Sequence, residues 1–212
     1  MKKLFQGVAI GLLAGMMAAP SLADECKSAG DIMVRGRAIA VVPQTGGDVS
    51  VIGGDPEATT EIVPEMDFTY FITDNIAREL IAATTRHDVK VNDTALGSVN
   101  LGKVSLLPPT LTAQYHFLPK SDFSPYVGIG INYTLFYDDD APGGAVTSIE
   151  YDNSIGPAFQ IGFDYRIAPN WYLNLDVKKV LINTDVKVNG GAIRGDADLD
   201  PWIIGLGLGY KF

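Results

Sequence analysis

The chain has 212 residues, of which 25 are acidic and 16 basic, for a formal net charge of −9 at pH 7. A surplus of acidic side chains repels phosphate groups, so this balance argues against nucleic acid as a partner. Beyond the first 23 residues, the sequence has no run of 18 apolar residues that could form a membrane-crossing helix. The 23 glycines and 12 prolines favour one all-β domain instead.

The N-terminus predicts export from the cytoplasm. Lys2 and Lys3 precede an apolar stretch over residues 4–19, and Ser21-Leu22-Ala23 follows as a small-x-small cleavage site. This order is typical of a secretory signal peptide, residues 1–23, with cleavage after Ala23. The mature domain, residues 24–212, then keeps 14 basic and 25 acidic residues, a net charge of −11.

Cys26 is the single cysteine of the sequence. It has no partner for a disulfide within the chain. A bacterial lipoprotein carries a small residue before its acylated cysteine, whereas Glu25 stands here. We therefore interpret Cys26 as an unlipidated thiol in an N-terminal tail.

Alternation of large apolar residues with small or polar residues predicts eight β-strands. In the last of them Trp202, Ile204 and Leu206 share one face, and Gly205 and Gly207 lie on the other. Large residues facing lipid around a narrow interior fit a membrane barrel, whereas a soluble sandwich would leave glycine on its solvent face. The predicted strands are residues 32–42, 62–71, 76–87, 104–117, 126–137, 155–165, 171–186 and 202–212.

The connections between these strands alternate strictly between long and short. The long ones are residues 43–60, 88–103, 138–153 and 187–198, and the short ones are residues 73–75, 118–123 and 168–170. This pattern predicts an eight-stranded antiparallel transmembrane β-barrel with short periplasmic turns and four longer extracellular loops. Because unpaired backbone groups in hydrocarbon cost several kcal/mol each, the first and last strands should pair. We expect a monomer in the bacterial outer membrane, in contact with lipid and lipopolysaccharide.

Four strings in the sequence carry a family resemblance. They are FTYFITDNIARELIAAT (68–84), LPPTLTAQYHF (107–117), SPYVGIGINYTLF (124–136) and LDPWIIGLGLGYKF (199–212). Together they resemble the outer membrane protein W (OmpW/AlkL) family. The resemblance implies an eight-stranded outer-membrane barrel whose narrow, largely hydrophobic lumen admits small apolar molecules. It also implies that some members serve as receptors for bacteriocins. It also implies a constriction of bulky apolar side chains, with counterparts at Ile81 and at Lys178, where a lysine replaces the large aromatic residue of the family.

The C-terminal strand is expected to carry an assembly signal. Phe212 is aromatic, and Leu206, Leu208 and Tyr210 lie on the same face. This arrangement resembles the signal that the barrel-insertion machinery reads, so we expect that machinery as a partner. Deletion of Phe212 should reduce the heat-modifiable folded form in outer membranes.

Inward-facing residues divide the predicted lumen into two regions. An upper substrate path is expected from Met33, Ile39, Val41, Ile81, Lys178 and Val180. A lower plug of paired charges is expected from Arg35, Arg37, Glu65, Asp67, Glu79, Asp164, Arg166 and Asp176. The residues of the upper path could instead simply fill the lumen. The charged residues could instead form an ion or proton pathway.

The leading functional hypothesis is passive uptake of a small hydrophobic substrate, with lateral exit into the membrane. The alternative is a structural protein or a surface receptor for bacteriocin or phage, with a plugged lumen. An enzyme built on His87, Asp88 and a loop serine is a third hypothesis, although no catalytic motif, cofactor-binding motif or metal-ligand pair supports it. Two acidic clusters, Asp138 to Asp140 and Asp196 with Asp198 and Asp200, could hold divalent cations between lipopolysaccharide phosphates, or could simply be solvated.

Overall fold

The computed structural model describes residues 26–46, 55–94, 97–143 and 146–212. The predicted signal peptide and its cleavage site lie outside these residues. The strands are β1 (Ile32–Val42), β2 (Asp55–Ala58), β3 (Glu61–Phe71), β4 (Ile76–Ala83), β5 (Thr85–Thr94), β6 (Gly97–Leu107), β7 (Thr110–His116), β8 (Phe123–Asp140), β9 (Ile149–Tyr151), β10 (Ser154–Ala168), β11 (Trp171–Val180), β12 (Asn183–Val188), β13 (Ile193–Asp198) and β14 (Trp202–Lys211). One short 3₁₀ turn spans Asn189–Gly191, and no helix in the described part of the chain is long and apolar enough to cross a membrane.

Eight antiparallel strands close into a barrel in the order β1, β3, β4, β7, β8, β10, β11, β14 and back to β1. The closing pair runs from Met33 opposite Lys211 to Val42 opposite Trp202. This confirms the predicted eight-stranded barrel and the predicted pairing of the first strand with the last. Because every wall strand has two neighbours, the wall has no open edge to expose backbone groups to lipid.

Side chains alternate across the wall as the sequence pattern predicts. On β14, Trp202, Ile204, Leu206 and Leu208 are each between 41% and 55% exposed on the outside. The small residues of this strand face the lumen, where a Cβ on Gly205 would lie 3.0 Å from Cγ2 of Ile39 and one on Gly209 would lie 3.0 Å from Cγ of Arg35. Glycine on β14 therefore leaves room in a narrow interior for the long side chains of β1.

The wall continues beyond the barrel on the side of the long connections, which faces outward in barrels of this kind. All four long connections carry strands of their own, and β2 in the first pairs with β5 in the second. β5 pairs with β6, β6 pairs with the end of β8, and β13, β12 and β9 form a separate three-stranded sheet. We call this outward end upper and the end with the short turns lower.

Three predicted strands are interrupted in the structure. The segment 76–87 divides at Thr84, the segment 104–117 divides at Pro108-Pro109, and the segment 171–186 divides at residues 181–182. The two prolines lack the N–H groups that a continuous ladder requires, so the second interruption follows directly from the sequence.

Candidate functional site

The upper lumen contains an apolar cavity with about 730 Å³ of empty space, its opening included. Ile39, Val41, Ile81 and Val180 line it, as predicted, and all four side chains are buried. Ile39, Val41 and Val180 belong to one packed cluster with Ala158, Ile182 and Ile203. The upper lumen is therefore lined by hydrophobic side chains but not filled by them.

A second apolar cavity, with about 830 Å³ of empty space including its opening, adjoins the first above the barrel. The two cavities share Ala58, Val89, Val104 and Leu199 as lining residues. Strands β5, β6, β12 and β13 supply most of the second lining, which explains why the sequence pattern, with long loops in these places, did not predict it. An apolar solute could pass from one cavity to the other along a continuous hydrophobic surface.

Charged side chains form the floor of the first cavity. The ammonium of Lys178 lies 3.3 Å from Oε1 of Glu65 and 2.5 Å from Oδ1 of Asp176, and all three residues are buried. Lys178 and Glu65 are also lining residues of the cavity. Lys178 thus marks the boundary between the apolar region and the charged region beneath it.

Two arginines organise the charged lower lumen. The guanidinium of Arg35 donates to Oδ1 of Asp67 at 2.9 Å and to Oδ2 of Asp164 at 2.9 Å. Arg37 lies 2.8 Å from Oε1 of Glu65 and 3.1 Å from Oε1 of Glu79. The predicted plug residues Arg35, Arg37, Glu65, Asp67, Glu79, Asp164 and Asp176 are therefore brought together in one ion-pair network.

Neutral side chains complete this network. Gln160 donates to Oε2 of Glu79 at 2.9 Å and to Oδ2 of Asp176 at 2.7 Å. The hydroxyl of Tyr126 donates to the same oxygen of Asp176 at 2.8 Å, and the guanidinium carbon of Arg35 lies over the face of its ring, 5.8 Å from the ring centre. Alternation along β8 places Tyr126 on the inward face, so the sequence carried a signal for this residue.

Two predicted site residues lie elsewhere. Met33 packs at the lower end of the lumen with Phe71, Ala77 and Tyr172, so its assignment to the upper path is corrected. β1 enters the barrel from the lower side, and Met33 comes two residues before Arg35 along it. Arg166 lies at the rim and pairs with Asp122 near a short turn, outside the network that the other plug residues form.

The lower mouth is crossed by residues 26–30, the N-terminal strap. Its Lys27 is fully buried, with the ammonium 2.7 Å from Oδ2 of Asp164 and 3.2 Å from Nδ1 of His116. The same ammonium lies 5.5 Å from the centre of the Tyr172 ring. Lys27 precedes the first strand, where no periodicity marks it as inward, so sequence reasoning could not have found it.

The strap is tied to the periplasmic turns. The N–H of Ala29 donates to Oδ1 of Asp74 at 2.9 Å, and Lys120 lies 3.1 Å from Oδ2 of the same carboxylate. These two contacts hold the pKa of Asp74 below its ordinary value. Lys211 also donates to the carbonyl of Cys26 at 2.6 Å, so the last strand fastens the start of the strap.

The wall itself is interrupted beside the first cavity. Pairing of β4 with β7 ends at Ile81 opposite Thr110, and pairing of β5 with β6 begins at Thr85 opposite Leu106. Residues 82–84 and 107–109 face each other between these two pairs without a ladder. We call this interruption the proline gap. Ala83 and Pro108, one on each side of it, line the cavity.

A second interruption, at residues 181–182 between β11 and β12, is closed by hydrogen bonds. Leu181 donates to the carbonyl of Pro157 at 3.0 Å, Leu199 donates to the carbonyl of Ile182 at 2.9 Å, and Ile182 donates to Oδ1 of Asp200 at 2.9 Å. A side-chain bond from Oγ1 of Thr84 to the carbonyl of Leu106, at 3.2 Å, crosses the proline gap, but among the described residues no comparable set of backbone bonds does. The two interruptions therefore differ in how firmly they are sealed.

The histidines do not form the catalytic arrangement of the third hypothesis. His87 Nδ1 lies 2.7 Å from the carbonyl oxygen of Thr59, and Nε2 lies 3.1 Å from Oγ1 of Thr85. Asp88 faces the other side of β5 and pairs with Lys103. Within the described part of the chain, His87 and Asp88 thus have separate structural partners.

The acidic clusters are not brought into a metal site where the structure describes them. Asp200 accepts the N–H of Ile182, Asp198 accepts from Asn183, and among described residues no three His, Cys, Asp or Glu side chains are placed to hold a metal ion. The side chains of Asp138 to Asp140 lie outside the described set.

The chain is similar to known outer-membrane proteins over most of its length. The family model described as "OmpW family" matches residues 28–212. "Uncharacterized outer-membrane protein y4mB" from Sinorhizobium fredii is 39% identical, over 97% of this chain and 90% of that protein. "Outer membrane protein AlkL" from Ectopseudomonas oleovorans is 32% identical, over 78% of this chain and 75% of that protein.

The solved structures agree on the fold. The crystal structure of the outer membrane protein OprG from Pseudomonas aeruginosa superposes with a TM-score of 0.81 at 32% sequence identity. The match covers 89% of this chain and 98% of OprG. The barrel fold and the outer-membrane location are thus shared with known outer-membrane proteins.

Proposed function

Because this chain belongs to the OmpW family of outer-membrane β-barrels, we propose that it mediates passive uptake of small hydrophobic molecules into the outer membrane. The observation that carries the proposal is the pair of adjoining apolar cavities above a charged floor. An apolar molecule that leaves water gains about 25 cal/mol for each Å² that it buries. The cavities therefore offer such a molecule a favourable site in the upper lumen and directly above it.

The charged floor argues against passage straight down into the periplasm. Lys178, Glu65 and the network beneath them are buried and mutually paired. A hydrophobic solute that pushed through would separate these pairs and leave buried charges without partners, at a cost of several kcal/mol. We infer that the solute leaves the upper lumen by another route.

The proline gap offers a sideways route into the membrane. It adjoins the first cavity at Ala83 and Pro108, and its outer side carries Leu107, which faces lipid. A passage through the wall at this point would break fewer backbone hydrogen bonds than a passage anywhere along a continuous ladder. Lateral exit through the gap completes the proposed path.

A matched pair of substitutions tests the route. Ala83→Phe should fill the cavity beside the gap and reduce uptake of an alkane-sized compound, whereas Ala113→Phe, on the lipid face of β7 away from the gap, should leave uptake unchanged. Ile81→Ala should also change uptake, and Lys178→Ala should change it less. Uptake is measured in cells that lack the protein and then regain each variant, with folded levels compared by gel shift.

The plugged lower lumen favours the second candidate, a structural or receptor role for bacteriocin or phage. The uptake experiment decides between the two. If restoring the folded protein does not change the uptake of several apolar compounds, the transport hypothesis is rejected and the structural or receptor role takes its place. We propose in addition that the protein is not an enzyme, which the structural partners of His87 and Asp88 support.

A further inference from the structure

At the proline gap, the backbone carbonyls of Pro108 and Pro109 need hydrogen-bond partners inside an apolar wall. Pro109 O accepts the N–H of Tyr133 at 3.0 Å, as a strand residue would. Both hydrogen bonds that the described residues give to Pro108 O come from side chains instead, those of Asn132 at 3.2 Å and Thr110 at 3.1 Å. A carbonyl without a partner at membrane depth is costly, so these side chains stabilise the closed wall.

Asn132 is the centre of this arrangement. Its amide nitrogen also lies 2.8 Å from Oγ1 of Thr110 and 3.4 Å from Pro109 O. Its amide oxygen accepts from the hydroxyl of Thr134 at 2.6 Å, which fixes the orientation of the amide. The side chain is fully buried at the edge of the first cavity, so it reaches the gap from the lumen side.

We propose that Asn132 is a latch that holds one side of the proline gap, residues 107–109, against β8 from inside and thereby sets the rate of lateral exit. This inference rests on the proposed function for its transport consequence. The amide bonds Pro108 O only when that segment lies against β8, so outward movement of the segment breaks the latch. Loss of the amide removes a stabilising contact from the closed wall and raises the population of the open one.

The test pairs Asn132→Ala with Gln160→Ala, which also removes a buried lumenal amide, but one bound to Glu79 and Asp176 in the charged network. Spin labels on Ala82→Cys and Leu107→Cys, both lipid-facing residues that flank the gap, are attached in a Cys26→Ser background. They report the width of the gap in bilayers through distances measured by electron paramagnetic resonance. A hydrogen bond is worth about 1 kcal/mol, so Asn132→Ala should raise the wide-gap population about fivefold. Gln160→Ala should leave the distance distribution as it is in the unsubstituted protein.

The width measurement is independent of any substrate. An unchanged distribution in Asn132→Ala would overturn the latch. A wider gap with unchanged uptake would overturn the link between Asn132 and transport, whereas failure of the proposed function would show as no uptake through the unsubstituted protein. If Asn132→Ala does not fold, Thr134→Val serves instead. It keeps the Asn132 amide but removes the hydroxyl that fixes its orientation, so we expect a smaller increase in the wide-gap population.

Discussion

The two halves of the lumen solve the same packing problem in opposite ways. Both are enclosed by eight strands with lipid-facing apolar residues, yet the upper half leaves cavities and the lower half is filled by ion pairs. Unpaired charge is expensive to bury, so a charged lumen is stable only when each group meets its partner and little space remains. A hydrophobic lumen has no such requirement and tolerates empty space that a ligand can occupy.

The largest expected effect is in the lower half. Arg35→Met would leave Asp67 and Asp164 buried with fewer partners, which should lower the free energy of unfolding by about 3 to 5 kcal/mol. Lys103→Met is the control, because it breaks the exposed pair with Asp88 and should cost at most about 1 kcal/mol. Denaturant unfolding in lipid vesicles measures both, and equal costs would show that the lower network is not held by its buried pairs.

On the lipid-facing surface of the barrel, the cost of a charged side chain should depend on membrane depth and not on which half of the lumen lies behind it. Leu206→Arg lies midway between Trp202 and Tyr210 on β14 and should cost about 2 to 4 kcal/mol in the same assay. Ile167→Arg, beside the short turn after β10, should cost about 0 to 1 kcal/mol because an arginine there reaches the interface. A similar cost at both positions would contradict the assigned membrane depth.

The strap extends the charged half below the barrel. Lys27→Met removes the bond to Asp164, which Arg35 still holds, so the expected loss is about 1.5 to 3 kcal/mol. The matched change Ser28→Ala removes only an exposed hydrogen bond with Lys120 and should cost less than 1 kcal/mol. If Lys27→Met is as stable as the unsubstituted protein, the strap is not part of the network.

The smallest effect is expected in the upper half. Ile81→Val removes one methylene group from the wall of a cavity that already exists, which should cost about 0.5 to 1.5 kcal/mol, near the lower end of that range. The measurement is again the free energy of unfolding in vesicles. A cost above that range would indicate that the upper half of the lumen is packed as tightly as the lower half.

The family strings and the alternation together identified most of the candidate site. Ile39, Val41, Ile81 and Val180 lie in the upper lumen, and seven of the eight predicted plug residues meet in the network. Each of these side chains is inward because a strand alternates faces at every residue. The corrections concern position along the axis, where Met33 lies lower than predicted, and membership of the network, where Arg166 pairs at the rim.

The sequence by itself therefore determined the barrel wall, the number of strands and their closure. These follow from local alternation, because lipid outside and a narrow lumen inside select opposite residue types at neighbouring positions. Only the tertiary structure decided which inward residues meet, that Lys27 plugs the lower mouth, and that Asn132 faces the carbonyl of Pro108. Such contacts depend on strand register and on pairing between distant segments, and no local pattern encodes how far along its neighbour each strand lies.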